Sequence, residues 1–123
     1  MEELASLLLQ SRTQAHSFHL GVKGIGSHSA HLALGEYYDA ISGLIDGLVE
    51  TYQGKEGLIQ LSGIGTLDKN NDIKNIIKYF ETLCGMVARL RQNPKLKDSW
   101  IQNDIDTVVS LMYRTKYKLV NHQ

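Results

Sequence analysis

The amino-acid sequence predicts an all-α protein: a four-helix bundle with one long crossover between its second and third helices. Apolar residues recur every three or four positions over four long segments, as expected for amphipathic helices. Glycine-rich or proline-containing stretches separate these segments. The stretch between the second and third segments is much longer than a tight turn, which indicates a crossover.

The composition indicates one small domain with no evident nucleic-acid or membrane partner. The 123 residues fit a single domain over residues 1–123, and roughly two thirds of the unfolded surface can be buried at this size. Thirteen basic residues balance thirteen acidic ones, which argues against a basic surface for DNA. No apolar run of about eighteen residues predicts a membrane span. Cys84 is the single cysteine, so no internal disulfide can form and a cytoplasmic location is expected.

The first helix is predicted from Glu2 to about Val22. Its apolar stripe consists of Leu4, Leu7, Leu8, Ala15, Phe18 and Val22, with the small Ser11 in the series. At about 100° per residue, His19 lies roughly 60° to one side of this stripe and His16 lies farther round. Both histidines are therefore expected to flank the buried face.

The second helix is predicted from about Ser29 to Gln53, with Ser27 or Ser29 as its N-cap and Gly54 as its C-terminal glycine. Its apolar side consists of Leu34, Tyr37, Tyr38, Ile41, Leu44, Ile45, Leu48 and Val49. An adjacent arc, which borders the core, holds His31, Gly35, Asp39, Ser42, Asp46 and Glu50. A mid-helix glycine costs about 1 kcal/mol relative to alanine. Gly35 therefore suggests a close backbone approach or a ligand, with tolerated drift as the alternative.

The connection over residues 54–71 is rich in glycine but also carries large aliphatic side chains. These are Leu58, Ile59, Leu61, Ile64 and Leu67. Because a solvated linker does not need them, we expect a crossover that packs on the bundle, with room for one short helical turn.

The third and fourth helices are predicted to be ordinary amphipathic core helices. The third runs from about Asp72 to Gln92 and is closed by Pro94. Its apolar positions are Ile73, Ile76, Ile77, Phe80, Leu83, Cys84, Val87 and Leu90. The fourth starts near Asp98 or Ser99. Its predicted buried face is Ile101, Ile105, Val108, Val109, Met112 and Leu119.

Histidines and carboxylates concentrate on the first two predicted helices. The set comprises His16, His19, His28, His31, Asp39, Asp46 and Glu50. Residues three or four apart share a helix face, so each His-x-x-His pair and the Asp46–Glu50 pair is a candidate two-atom ligand. Neutral imidazole with carboxylate suits iron, manganese or zinc. The third and fourth helices offer no Glu-x-x-His pair, which argues against the usual di-iron site inside one bundle.

A site shared between two subunits accounts for the spacing of these residues. Asp46 follows His31 by fifteen residues, about 22 Å along a helix, so one ion cannot reach both within one helix. In an antiparallel two-fold dimer the histidines of one subunit meet the carboxylates of the other, and two equivalent sites form. The predicted ligands are His19, His31, Asp46 and Glu50, with His16, His28 and Asp39 as additional candidates. We therefore expect a homo-oligomer, at least a dimer.

A recognisable pattern begins at His19. The stretch His19-Leu-Gly-Val-Lys-Gly is followed by His31 twelve residues after His19, by Asp46 fifteen residues later and by Glu50 four residues after that. This pattern resembles the ferroxidase segment of Dps-type miniferritins, members of the ferritin-like superfamily, which show His-Trp-Asn-(Val/Met)-(Lys/Arg)-Gly and the same spacing. The resemblance implies a ferritin-like bundle whose shared sites bind iron through these four residues. It also implies oxidation of Fe(II) by oxygen or peroxide, storage of the ferric product and a shell, usually dodecameric.

The pattern departs from that family in ways that keep other interpretations open. Gly35 stands where the family has a liganding aspartate, and Leu20 replaces the tryptophan. Asp39 or His16 is the candidate to replace the missing aspartate ligand. Gly35 also favours a non-catalytic helical assembly protein that kept the bundle and lost the chemistry, whereas the clustered histidines favour a zinc or other divalent-metal site without redox turnover. The basic N-terminal arm associated with DNA binding in the family is absent, so DNA binding is not expected.

Overall fold

The computed structural model describes residues 1–122, and these form four α-helices and one short 3₁₀ helix, with no strand among them. Helix α1 spans Glu2–Gly21, α2 spans Ser27–Glu56, α3 spans Ile73–Leu90 and α4 spans Ser99–Asn121. The 3₁₀ helix, Pro94–Leu96, lies between α3 and α4. The prediction of an all-α four-helix protein is confirmed.

Helices α2 and α4 pack side by side in opposite directions. Lys118, near the end of α4, forms an ion pair with Glu36 in the first half of α2. Lys55, at the end of α2, bonds to Asp98 at the start of α4, with Nζ and Oδ2 2.8 Å apart. Because early residues of one helix meet late residues of the other at both ends, the pair is antiparallel.

Helices α1 and α3 also run antiparallel, which makes α3 parallel to α2. The ring of Phe18 meets the ring of Tyr79 edge-on, with centroids 5.6 Å apart, whereas Leu7 and Met86 line the same surface cavity. Helices α1 and α2 form an antiparallel hairpin through the short turn at residues 22–26. Because α2 and α3 run in the same direction, the chain must return along the length of the bundle between them, and residues 57–72 make that crossover.

The crossover is held against α1 by polar side chains. The hydrogen-bonded pairs are Ser62 with Ser6, Gly65 with Gln10 and Asp68 with Gln14. The three α1 residues are spaced four apart and therefore share one face of the helix. Gln14 is only 3 % exposed, and its amide bonds to both the N–H and the C=O of Asp68, at 2.7 and 2.9 Å.

The prediction that aliphatic residues pack the crossover onto the bundle is wrong for three of the five. Leu58, Leu61 and Ile64 are 91, 46 and 50 % exposed, whereas Ile59 and Leu67 are partly buried. No helical turn forms over residues 57–72. The extended backbone needs hydrogen-bond partners, and the polar face of α1 supplies them instead of an apolar surface.

The predicted ends of α2 are each displaced by a few residues. The helix begins at Ser27. Its N-cap is Gly26, which has a φ of 83°, so no serine caps this end. It continues through Gly54 to Glu56 and ends at Gly57, which has φ of 95°. Glycine tolerates these positive φ values at no steric cost, which explains where the helix starts and stops.

One apolar core lies between the four helices. Tyr37, Phe18 and Phe80 are its largest fully buried side chains, and Tyr37 meets Phe80 edge-on with centroids 4.9 Å apart. The Tyr37 hydroxyl pairs with the Ser11 hydroxyl at 2.8 Å, and burial raises the pKa of Tyr37 above its usual value of 10.0. None of the described helices is long and apolar enough to cross a membrane.

Candidate metal centre

Two histidines face each other where α1 ends and α2 begins. His19 lies in the last turn of α1 and His31 in the second turn of α2. Their rings stack, with centroids 3.7 Å apart and planes 19° from parallel. Nδ1 of His19 lies 2.6 Å from the main-chain oxygen of His31, and Nδ1 of His31 lies 2.8 Å from the main-chain oxygen of His19. The two residues therefore form a reciprocal clasp between the helices.

The clasp defines which ring nitrogens carry protons. A carbonyl oxygen only accepts hydrogen bonds, so both Nδ1 atoms must donate, and in the neutral rings both Nε2 atoms keep their lone pairs. Among the described residues, none hydrogen-bonds to either Nε2 atom. An imidazole that donates its other N–H to a backbone carbonyl is the arrangement typical of histidine metal ligands. With the imidazoles neutral, the clasp thus offers a pair of oriented Nε2 atoms as nitrogen ligands.

The clasp also satisfies a backbone group that the end of α1 leaves unpaired. The last carbonyls of a helix lack partners within the helix. The carbonyl of His19 is one of these, because α1 ends at Gly21, and it accepts from the His31 ring.

Gly35 provides the space for the His19 ring. A Cβ atom at position 35 would lie 3.1 Å from Cε1 and 3.3 Å from Nδ1 of His19, closer than ordinary van der Waals contact. The close approach suggested by the mid-helix glycine is confirmed. The place where the Dps pattern has an aspartate is here occupied by the edge of an imidazole ring.

Two further rings extend the cluster. His16 is exposed and stacks on Tyr38, with centroids 4.3 Å apart. Tyr38 in turn meets the His19 ring edge-on at 5.2 Å. The sequence interpretation assigned Tyr38 to the apolar side of α2 and missed this role, although its position seven residues after His31 places both on one face. His28 is exposed and is not part of the cluster.

The predicted carboxylate ligands lie elsewhere on the same subunit. Asp39, Asp46 and Glu50 are all exposed along α2. Asp46 lines a surface depression together with Arg12, but neither Asp46 nor Glu50 forms an ion pair with any described residue. Within residues 1–122, no three or more His, Cys, Asp or Glu side chains are grouped to hold a metal. A single copy of the chain therefore brings the two imidazoles together but not the carboxylates.

The structure thus defines a four-helix protein with an inter-helix histidine clasp. The chain belongs to a family of unknown function, DUF5856, which matches residues 24–119. His31, Asp46 and Glu50 lie within the matched region, whereas His19 precedes it. Neither the curated proteins nor the solved structures contain a significant match.

Proposed function

We propose that this protein is a ferritin-like, Dps-related metal-binding protein that binds and oxidises Fe(II) at sites shared between two subunits. The observation that carries the proposal is the histidine clasp. Both Nδ1 protons are engaged by backbone carbonyls, which leaves two oriented Nε2 donors.

The chain topology supports the same proposal. Ferritin-like bundles use a long crossover so that the second and third helices run parallel. Residues 57–72 make such a crossover between α2 and α3. The topology is compatible with the family's activity but does not by itself imply it, because one fold hosts many functions.

The carboxylates would come from the second subunit. Asp46 and Glu50 are exposed and without ion-pair partners among the described residues. In the antiparallel dimer, the clasp of one subunit lies against these carboxylates of the other. Two imidazole nitrogens and two carboxylates are a ligand set suited to iron.

The chemistry follows from the ligand types. Carboxylate oxygens favour the harder Fe(III) over Fe(II), so the site promotes loss of an electron from each bound Fe(II). Two such electrons and two protons reduce dioxygen to hydrogen peroxide, or reduce hydrogen peroxide to two water molecules. The ferric product is then stored, and the subunits assemble into a homo-oligomer that extends to a dodecameric shell if the family's assembly is retained.

The single, buried Cys84 accords with a reducing cytoplasm as the site of action.

A second candidate is a zinc or manganese site without redox turnover. Gly35 offers no carboxylate where the Dps pattern has one, and the His19 ring fills that space. A site with fewer oxygen ligands relative to nitrogen suits zinc better than ferric iron. The third interpretation, a non-catalytic assembly protein, takes the clasp as a structural link only.

Anaerobic titration with Fe(II) followed by exposure to oxygen tests the proposal. We expect saturable binding and then a ferric absorbance, both strongly reduced in His31→Ala and in Glu50→Ala. His122→Ala, which alters an exposed histidine at the end of α4, is the control and should behave as wild type. Uptake without oxidation would favour the second candidate. Absence of any uptake would contradict metal binding.

A further inference from the structure

A groove runs between α1 and α3, which pack together less closely than the other adjoining pairs of helices. Two surface cavities of about 280 and 250 Å³ lie in it, and both are lined by Leu7 and Met86, so they form one continuous groove. We call it the α1–α3 groove. Asn75 and Leu90 mark its ends on α3, which makes it about 22 Å long at 1.5 Å per residue.

The floor of the α1–α3 groove is apolar and open to solvent. Leu83 is buried, whereas the other floor residues are only partly buried. Because covering apolar surface contributes about 25 cal/mol per Å², a partner with an apolar face would be stabilised in this groove. The floor consists of Leu7, Tyr79, Leu83, Met86 and Leu90.

Opposite charges lie on the two banks of the groove, near each of its ends. Lys78 on α3 and Asp68 on the crossover line one cavity, whereas Arg89 on α3 and Glu3 on α1 line the other. Neither Lys78 nor Arg89 forms an ion pair with any described carboxylate. The bank formed by α3 is therefore basic, the bank formed by α1 and the crossover is acidic, and the two are held apart by the groove.

The charges on each bank are separated by the same number of helical turns. Lys78 and Arg89 are eleven residues apart on α3. Asp68 is held by Gln14, which follows Glu3 on α1 by eleven residues. Eleven residues are about three turns, or 16 Å. A helix lying along the groove would therefore present one flank to both cations and the other flank to both carboxylates.

The arrangement of the groove favours a helix over an acyl chain or an extended peptide. An acyl chain carries charge at one end only, whereas this groove has charges of both signs at both ends. An extended peptide gains affinity from backbone groups of a sheet edge, but the main walls here are helices, whose backbone groups bond internally. A helix needs only an apolar floor and complementary flanks.

We propose that the α1–α3 groove docks one amphipathic α-helix of about 15 residues from a partner protein. The apolar stripe of this helix covers the floor of the groove. Its acidic flank faces Lys78 and Arg89, and its basic flank faces Glu3 and Asp68, so that the potentials of the two surfaces are complementary. None of these residues is a candidate metal ligand, and the docking site therefore stands independently of the proposed function.

A synthetic helical peptide tests the docking site. The probe has about 16 residues, with leucines along one stripe, glutamates along one flank and lysines along the other. Fluorescence anisotropy of the labelled peptide should show saturable binding of one peptide per chain. We expect Lys78→Glu/Arg89→Glu to weaken this binding about tenfold, because two attractions become repulsions.

A matched variant controls for net charge. Lys23→Glu/Arg114→Glu makes the same change of charge at two exposed positions outside the groove. It should leave the Kd of the peptide unchanged. Equal weakening in the two double variants would overturn the proposal, since it would show attraction to the overall charge of the chain and not to the groove.

A second peptide, with lysines on both flanks, gives the reciprocal measurement. In Lys78→Glu/Arg89→Glu both banks of the groove are acidic, so this peptide should bind the variant about tenfold more tightly than it binds the wild type. Lys23→Glu/Arg114→Glu should show no such gain. Failure of the second peptide to bind the groove variant more tightly would contradict the assignment of the basic bank.

Backbone amide shifts in NMR spectra locate the bound peptide. We expect changes over residues 3–14 and 75–90 and none over residues 27–56. Changes confined to other parts of the chain, or no saturable binding of the first peptide, would overturn the proposal. Tighter binding of laurate than of the peptide would assign the groove to an acyl ligand instead. Self-association of the wild type that is lost in Lys78→Glu/Arg89→Glu would assign it to a second copy of the chain.

Discussion

At the residue scale, the histidine clasp and Gly35 depend on each other. The sequence pattern identified His19 and His31 as ligands from one subunit and marked Gly35 both as a point of close approach and as a missing ligand, without identifying the His19 ring as the group that approaches. Side-chain rotamers and ring stacking cannot be derived from residue spacing, so the reciprocal bonds to the carbonyls and the part played by Tyr38 could not be foreseen. In the structure a Cβ atom at position 35 would lie only 3.1 Å from Cε1 of His19, so a glycine gives the ring its space.

Replacement of Gly35 by alanine should therefore bring no stability gain. A helical Gly→Ala change on an open surface stabilises by about 1 kcal/mol. We expect this for Gly85→Ala, because Gly85 is exposed on α3 and an added Cβ there would meet no atom within 4 Å. In Gly35→Ala the new methyl group displaces the His19 ring, which offsets the gain, loosens the clasp and weakens metal binding. Urea unfolding of both variants, with a metal titration of each, checks this. Equal stabilisation of the two variants would show that the ring moves aside freely.

Buried tyrosines should make the protein sensitive to alkaline pH. Burial raises the pKa of Tyr79 above its usual value of 10.0, so the folded state keeps a proton that the unfolded state loses. The contribution of Tyr79 to the free energy of unfolding is then fully present below pH 10, and it is lost as the pH rises further. Each such tyrosine contributes a slope of about 1.4 kcal/mol per pH unit.

Unfolding measured between pH 9 and pH 11 should show this slope reduced by one tyrosine's contribution in Tyr79→Phe. Tyr113→Phe is the control, since Tyr113 is exposed and should leave the slope unchanged. Equal slopes for Tyr79→Phe and wild type would show that the Tyr79 hydroxyl ionises as readily in the folded as in the unfolded state.

At the element scale, periodicity predicted the four helices well and their connections less well. Apolar spacing defines a helix regardless of its neighbours, which is why the core stripes of α1 to α4 could be identified from sequence. The path of the crossover depends instead on Ser6, Gln10 and Gln14, a row of polar residues whose last member, Gln14, borders the apolar stripe of α1 and is buried. Their role emerges only when a distant segment lies beside them.

Among the hydrogen bonds between α1 and the crossover, those of the buried Gln14 to Asp68 should contribute most to holding the crossover in place. Gln14→Leu leaves the N–H and the C=O of Asp68 without their partner in a partly buried position, at a cost of about 1 to 3 kcal/mol. Gln10→Leu removes one exposed hydrogen bond, to Gly65, and should cost less. Thermal unfolding and limited proteolysis of residues 57–72 compare the two. A larger effect from Gln10→Leu would assign the main contact to the exposed end.

At the scale of the whole molecule, the candidate ligands divide into two groups along α2. One subunit assembles the imidazoles and displays the carboxylates about 22 Å farther along the helix. The sequence predicted this separation from helical rise alone, and the structure keeps Asp46 and Glu50 exposed. What spacing could not supply is the shape of the surface between the two groups, where Leu32 is 52 % exposed and an added Cβ at Gly43 or Gly47 would meet no atom within 4 Å.

Mixing two inactive variants tests whether sites are shared. In an antiparallel dimer of His31→Ala with Glu50→Ala, one site loses both residues and the other keeps both. Random exchange makes about half of the dimers mixed, and each mixed dimer has one intact site out of two. About a quarter of the wild-type sites should therefore return. Iron binding measured before and after subunit exchange checks this. Mixing each variant with His122→Ala calibrates the exchange, because that partner supplies intact ligands of both kinds. If every ligand came from a single subunit, the mixture would bind no more iron than its components, since each chain would carry its own defect.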